Sequence, residues 1–403
     1  MDKQEENLNA ELKANGRAGE FSRRDFLKTL GLLAGSSLFA SGAVFSASGC
    51  SGEEAMNKLT DVSGLEQEKR TVTDDAGREL SIPTASNIKK VYFTSGLAEV
   101  FVLTLAPDLM GATCSRYTAD AKKYLPDVLS KLNYLGSVET GEMDVEAVMS
   151  EGIQIIFSIS SIELTEANIS EAVDIQEKTG IPVVLIDGSF DRIAQAYDML
   201  GDILGRQERA KELCDYCQSA YERVTKAVAD IPESEKVSVY YAEGPKGLQT
   251  EPAESQHAYS FNVAGGRVVA QVELFDATGM ADVSLESVIK WNPEVIVAWD
   301  EEIRGGADNH IRTSSDWASI KAVKDGRVYT MPNTPLAWVD RPMACNRYLG
   351  IQWLANMFYP DKFDVDMLQV GKEYYELFFG KSISDADMLN LLGTSYPATK
   401  RIS

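Results

Sequence analysis

M-D-V-E-A-V-M-S-E-G-I-Q-I-I-F-S, residues 143–158, and V-S-L-E-S-V-I-K-W-N-P-E-V-I-V-A, residues 283–298, are two copies of one pattern. Each opens with an Asp or Ser suited to cap a helix and carries a glutamate two residues later. A short apolar helix, a tight turn and a four-residue apolar strand follow. A unit present twice in one chain points to two similar lobes, the alternative being chance likeness between two helix–strand units.

The stretch between the copies supports the same architecture. Residues 190–230 are helical almost throughout, with Ile193, Tyr197, Leu200, Ile203 and Leu204 recurring at spacings of three and four. After Gly205 the series Ala210, Leu213, Cys217, Tyr221, Val224 and Val228 does the same, predicting a helix of about 24 residues and about 36 Å. Such a helix is long enough to bridge two lobes.

On its N-terminal side a hairpin-like turn, D-D-A-G, separates 71–73 from 79–82. Strands are then predicted at 91–94, 109–112, 153–159 and 183–186, and helices at 97–105, 145–150 and 169–179. On its C-terminal side strands are predicted at 237–241, 295–299 and 327–331. Helices there cover 283–290, 317–320, 342–358 and a final region from 363 to about 392. Strands alternating with helices mean parallel sheets with covered faces. The fold class is α/β: two similar lobes with central, mostly parallel sheets flanked by helices, joined by one long rigid helix. The domains are an N-terminal lobe at 71–190, linking helices at 191–231 and a C-terminal lobe with C-terminal helices at 232–403.

Residues 22–28 read S-R-R-D-F-L-K, and an uncharged, weakly apolar run follows to Gly49. Arg23 and Arg24 ahead of such a run form a twin-arginine export signal; an ordinary membrane-spanning helix is the alternative. The run closes A-S-G-C, a lipobox-like end that makes Cys50 the lipidated first residue of the mature chain. Residues 1–49 are then a lipoprotein signal and 50–70 a polar tether. The expected location is the extracytoplasmic face of the membrane, anchored by lipid.

Six acidic and six basic residues precede Cys50, so the formal charge of −22 belongs to the mature part. A chain this acidic repels nucleic acid and anionic headgroups. Cys214 and Cys217 form C-x-x-C in a helical stretch with no second pair, which argues against zinc and leaves helix packing or a redox role. The chain has two histidines, His257 and His310, too few for the usual receptor of a bare divalent transition ion.

Several further runs carry a family likeness: T-V-T-D-D-A-G-R-E-L from Thr71, G-I-P-V-V-L-I-D from Gly180, L-G-D-I-L-G-R from Leu200, W-N-P-E-V-I-V from Trp291 and D-G-R-V-Y-T-M-P from Asp325. In this order they resemble the substrate-binding proteins of ABC importers for iron siderophores, haem and cobalamin, over nearly all of 71–360. The turn Glu151–Gly152 departs from the family, which has Lys-Pro or similar there. The resemblance implies a monomer that holds a small-molecule metal complex in the interlobe cleft with little hinge bending. It also implies that Glu146 and Glu286 dock onto arginines of a permease dimer and, through it, serve its ATPase; helix-start glutamates favoured by the macrodipole are the alternative.

Loops after strand ends line the cleft of open α/β sheets. They select as ligand-binding residues Ser95, Arg116 and Tyr117 in the first lobe, and Gln249, Thr250, His257, Trp299, Trp338 and Arg341 in the second. Arg116 and Arg341, one per lobe, can clamp an anionic ligand. Trp338 and Tyr117 offer flat apolar surface, and His257 is a possible axial contact to a chelated metal; loop packing is the alternative for each. The expected ligand is a ferric siderophore, haem or corrinoid, with molybdate or tungstate as the alternative, and no resident cofactor. An exported redox or hydrolytic enzyme is disfavoured because no H-E-x-x-H, G-x-S-x-G, iron–sulfur cysteine run or phosphate loop occurs. A sensor partner would keep the cleft without needing the two glutamates.

Overall fold

The computed structural model describes residues 68–273 and 279–393. Arg23, Arg24 and Cys50 lie outside the described residues, as does nearly all of the expected tether. The first described element is a hairpin of β1 (Lys69–Thr73) and β2 (Glu79–Pro83). Asp74 closes its turn by accepting the amides of Ala76 and Arg78 and pairing with Arg78 at 2.6 Å. It also accepts the Leu185 amide at 3.2 Å, which pins the hairpin to the first sheet.

That sheet is β3 (Val91–Phe93), β4 (Ile155–Ser160) and β5 (Val183–Asp187), all parallel, with β4 in the middle. All but Ser160 of these residues are buried, as expected of strands covered on both faces. The covering helices include α1 (Gly96–Leu105), α2 (Val145–Ser150) and α3 (Glu166–Thr179). The strand predicted at 109–112 reduces to a single bridge between Val91 and Met110. Pro107 starts a one-turn helix that takes Leu109 into it, leaving too little extended chain for a ladder.

Next come α4 (Ile193–Leu204) and α5 (Gln207–Val228), separated at left-handed Gly205. At 22 residues, α5 is about 33 Å long. The second sheet contains β6 (Ser238–Ala242), β8 (Arg267–Val268), β10 (Val295–Ala298) and β11 (Val328–Thr330), parallel in the order β11-β10-β6-β8. A short antiparallel pair, β7 (Gln249–Thr250) and β9 (Ala281–Asp282), is joined just past the end of β6 by a bridge between Glu243 and Gln249. The helices of this half are α6 (Tyr259–Val263), α7 (Leu285–Trp291), α8 (Asn346–Phe358), α9 (Met367–Phe379) and α10 (Asp385–Leu392), with three shorter ones between β10 and α8. The helix predicted at 317–320 is a set of turns; Ile320 is extended at φ −74° and ψ 138°, and the helix starts at Lys321.

The period-two geometry of the second sheet divides its core. Val239, Tyr241, Val295 and Val297 face one apolar cluster, while Tyr240, Ala242, Ile296 and Ala298 face another with Ile311 and Trp317. The first cluster runs without a break from Leu80 in the hairpin, through α5, to Leu392. Helix α8 lies close on the preceding loop: a Cβ at Gly350 would meet the Trp338 carbonyl oxygen at 2.1 Å. The C-terminal helices, expected with the second lobe alone, also reach the first. Helix α9 packs on α1, the Tyr124 and Tyr375 rings lie 6.1 Å apart, and Lys381 pairs with Asp127 at 2.6 Å. Shared core on this scale ties the lobes by packing as well as by α5.

The C-x-x-C is a packing feature of α5. Cys217 is buried in the core, Cys214 donates to the Ala194 carbonyl at 3.4 Å, and neither forms a disulfide. Burial pushes Cys214 up to about 12 and Cys217 well above the ordinary thiol value, the opposite of the lowered value that activates a redox cysteine.

Candidate functional site

The C-terminal ends of the two parallel sheets face a cleft of about 790 Å³. On the first-lobe side β3 and β4 deliver Thr94, Ser95, Ser158, Ser160 and Ser161, a wall of hydroxyls. Ser95 caps α1 by accepting the Ala98 amide at 3.3 Å, so the amino end of that helix opens on the cleft. The loop after Thr113 adds Ser115, Arg116 and Tyr117. Arg116 is exposed, its guanidinium 3.7 Å over the Tyr134 ring, which leaves its charge available.

Beneath this wall Glu99 is fully buried and accepts both the amide and the thiol of Cys114 at 3.0 Å. Burial pushes its carboxyl up from the ordinary value. The Tyr117 hydroxyl is also buried and makes no hydrogen bond; burial first, and then the Glu99 charge, hold it well above its usual range.

The second-lobe side is built around Arg341. Its guanidinium meets Asp340, Glu243 at 2.8 Å and Glu251 at 3.4 Å, all three carboxylates wholly buried. Glu243 follows β6, Glu251 follows β7, and Asp340 precedes Arg341 in the chain, so the cluster joins three segments. Glu251 also accepts the Ser255 hydroxyl at 2.6 Å and the Met280 amide at 2.8 Å. His257 Nδ1 lies 2.8 Å from Asp340 Oδ1. Burial opposes the charge of Asp340, but the His257 hydrogen bond and Arg341 bring its carboxyl below the ordinary value, so it stays ionised. An ionised acceptor fixes the proton on Nδ1 and leaves Nε2 as the nitrogen available to a ligand. Across the cleft Ser161 donates to the Gln256 side chain at 3.0 Å, a direct tie between the lobes.

Glu243 behaves differently from Asp340. Burial, only partly offset by Arg341 and reinforced by Glu251 and Asp340, pushes it up to about 9. A carboxyl raised this way carries a proton in the fold that the unfolded chain loses above its ordinary value of 4.5. The stabilisation is therefore complete below pH 4.5 and is lost as pH rises through about 9. Glu243→Gln keeps the neutral shape, so urea midpoints should fall less between pH 5 and pH 9 in the variant than in the parent. Equal falls would mean that Glu243 is ionised throughout.

Of the nine expected ligand-binding residues, the structure brings Ser95, Arg116, Tyr117, His257 and Arg341 to the cleft and leaves four out of its lining. Trp338 is not a cleft platform: at 1 % exposure it lies in the core, donating to the Tyr375 hydroxyl at 3.2 Å and edge-on to Trp353. Trp299 is buried behind Arg341, which lies 5.6 Å over its ring, and its indole donates to the Tyr241 hydroxyl at 2.7 Å. Gln249 and Thr250 pair with Asp282 and Ala281, and they support Glu251 rather than facing ligand. Arg341 itself is not a bare cation, because the carboxylates around it offset its charge. Sequence reasoning did not single out Glu243, Glu251 and Asp340, although Glu251 and Asp340 adjoin selected positions and Glu243 lies six residues before Gln249.

Glu146 and Glu286 are both exposed, each at the second position of its helix, after the caps Asp144 and Ser284. Glu286 is held below the usual carboxylate range by its own backbone amide and by the Ser284 hydroxyl.

A family model described as periplasmic binding protein matches residues 155–335. The molybdate-binding protein MolA of Haemophilus influenzae is 24 % identical over 333 residues, 78 % of this chain and 92 % of the relative. The uncharacterized ABC transporter substrate-binding lipoprotein YvrC of Bacillus subtilis is 23 % identical over 73 % of this chain and 86 % of its own. Among solved structures, an ABC transporter solute binding protein from Sulfurospirillum deleyianum superposes with a TM-score of 0.72 at 26 % identity, covering 80 % of this chain and 98 % of that one. The family match, relatives aligned over most of their length and two parallel sheets facing one cleft agree with the sequence resemblance: residues 155–335 match the periplasmic binding proteins, and most of the chain is similar to solute-binding proteins of ABC transporters.

Proposed function

We propose that this solute-binding protein, exported through the Arg23–Arg24 signal and anchored by lipid at Cys50, captures a metal complex with an exchangeable coordination position and passes it to a permease dimer through Glu146 and Glu286. The observation that carries the ligand class is the His257–Asp340 pair. Metal-ligating histidines nearly always give their second nitrogen to such a carboxylate, which orients the ring and raises the basicity of the first. A cleft of about 790 Å³ is of chelate size, and a bare tetrahedral oxyanion would leave most of it to water. The two walls suit an asymmetric ligand. Anionic groups of the chelator face Arg116, the serines and the amino end of α1, and the metal faces Nε2 of His257.

A second reading has its own support: MolA is named for binding molybdate, and the hydroxyl wall with Arg116 is chemistry suited to an oxyanion.

A melting and absorption panel separates the two. The mature protein and its His257→Ala variant are tested with haem, cobalamin, ferric chelates having open positions, ferric chelates with none, molybdate and tungstate. A ligand at 100 times its Kd adds about 2.7 kcal/mol. The expected result is a shift with complexes offering an open position, an absorption change on binding, and affinity at least about tenfold weaker in the variant, equivalent to ~1.4 kcal/mol. A response to molybdate and tungstate alone would replace this reading with the oxyanion one. No response at all would remove the cargo assignment and leave the family intact.

A further inference from the structure

Among the described residues five large apolar side chains are strongly exposed: Met149, Ile162, Val173, Ile289 and Ile303. Two of them occupy the same step of the two repeats. Met149, at 52 % exposure, is the seventh residue of the first copy, and Ile289, at 40 %, is the seventh of the second. Over the eight residues from Met143 and from Val283 the order of exposed, half-buried and buried positions is identical, with Val148 and Val288 buried at the sixth. Each exposed apolar residue follows its glutamate by three, the spacing that sets two side chains side by side on one helix face.

Both helices also begin at the cleft end of their sheets. The loop leading to α2 donates the Val138 amide to the carbonyl of Thr94, just past β3, at 2.9 Å. The residue before the α7 cap, Val283, donates to Leu248 at 2.9 Å, and Gln249 in turn donates to Glu243 just past β6. A single exposed aliphatic residue is ordinary on a protein surface. The same class of residue at the same step of two copies, each beside an exposed carboxylate, is a matched pair that no fold requirement explains.

We propose that Met149 and Ile289 are the apolar anchors of the permease-docking surface. Each inserts beside the cation that receives Glu146 or Glu286 and shields that ion pair from water. This rests on the docking reading above and extends it from two charges to two charge-plus-apolar patches. The partner is a membrane protein with two equivalent halves, each presenting a cation next to an apolar recess. Shielding matters because a charge-assisted contact open to water contributes little, whereas one ringed by apolar contact becomes a hot spot.

The test measures association of the mature protein with its permease–ATPase complex in nanodiscs. Met149→Ser and Ile289→Ser should each weaken association by about tenfold, a loss in line with burial of such side chains, without changing melting temperature. Val173→Ser, at an exposed apolar residue outside the repeats, should leave association unchanged. Parent-like association of the Met149 and Ile289 variants, with failure on charge reversal at Glu146 and Glu286, would overturn the anchors and keep the docking reading. Parent-like association of all four would overturn both.

Discussion

Arg341→Ala should destabilise the protein by about 3–5 kcal/mol, the usual cost of removing one partner from a buried ionic cluster. The reason lies in what stays behind. Glu243, Glu251 and Asp340 are wholly buried around the guanidinium, and neither of the two beyond Asp340 has another cation among its described salt bridges. Asp340 keeps its bond to His257 but loses the guanidinium beside it, and Glu243 and Glu251 lose the partner they share. The melting temperature should fall by several degrees, and ligand capture should weaken because the cleft loses the Arg341 side chain from its lining. Adding Glu251→Gln to Arg341→Ala should recover part of the loss, since one buried charge fewer is left uncompensated. A single variant as stable as the parent would mean that Arg341 offsets no buried charge, Asp340 included, and the electrostatic account of this wall would be wrong.

Reversing both docking charges should have the largest effect on transport. Glu146→Arg with Glu286→Arg is expected to abolish uptake while leaving ligand affinity and melting temperature within error. Both side chains are exposed and their caps, Asp144 and Ser284, remain, so the fold loses no more than a weak helix-end interaction at each site. At an interface the same change removes a charge-assisted bond and sets like charges together, about 2–5 kcal/mol per site. Two sites together then reduce association on the order of a thousandfold or more. Each single reversal should give an intermediate loss, because the two contacts are far apart and add. Normal uptake by the double variant would favour a sensor partner over an importer subunit.

Much of the fold was legible because it is written in near neighbours. The apolar runs of β6 and β10, the apolar stripe of α5 and the capped turn before each repeated strand depend on residues within a few positions. Where local pattern misled, a local signal competed with it: Pro107 diverted 109–112 into a turn, and Ile320 stopped a helix before it started. The tryptophans were a different case. Trp299 and Trp338 follow strand ends as cleft residues do, but indole area is so costly to leave in water that the core took both.

The sequence by itself determined the two α/β units, the long helix between them and the equivalence of Glu146 with Glu286, since periodicity and repetition are properties of consecutive residues. Tertiary structure alone decided what Arg341 and His257 are. The partners of Arg341 in Glu243 and Glu251 stand 98 and 90 positions away, and His257 meets Asp340 across 83. The charge state of a buried group is set by whichever groups the fold brings within a few ångströms, through distances and desolvation that no local pattern encodes.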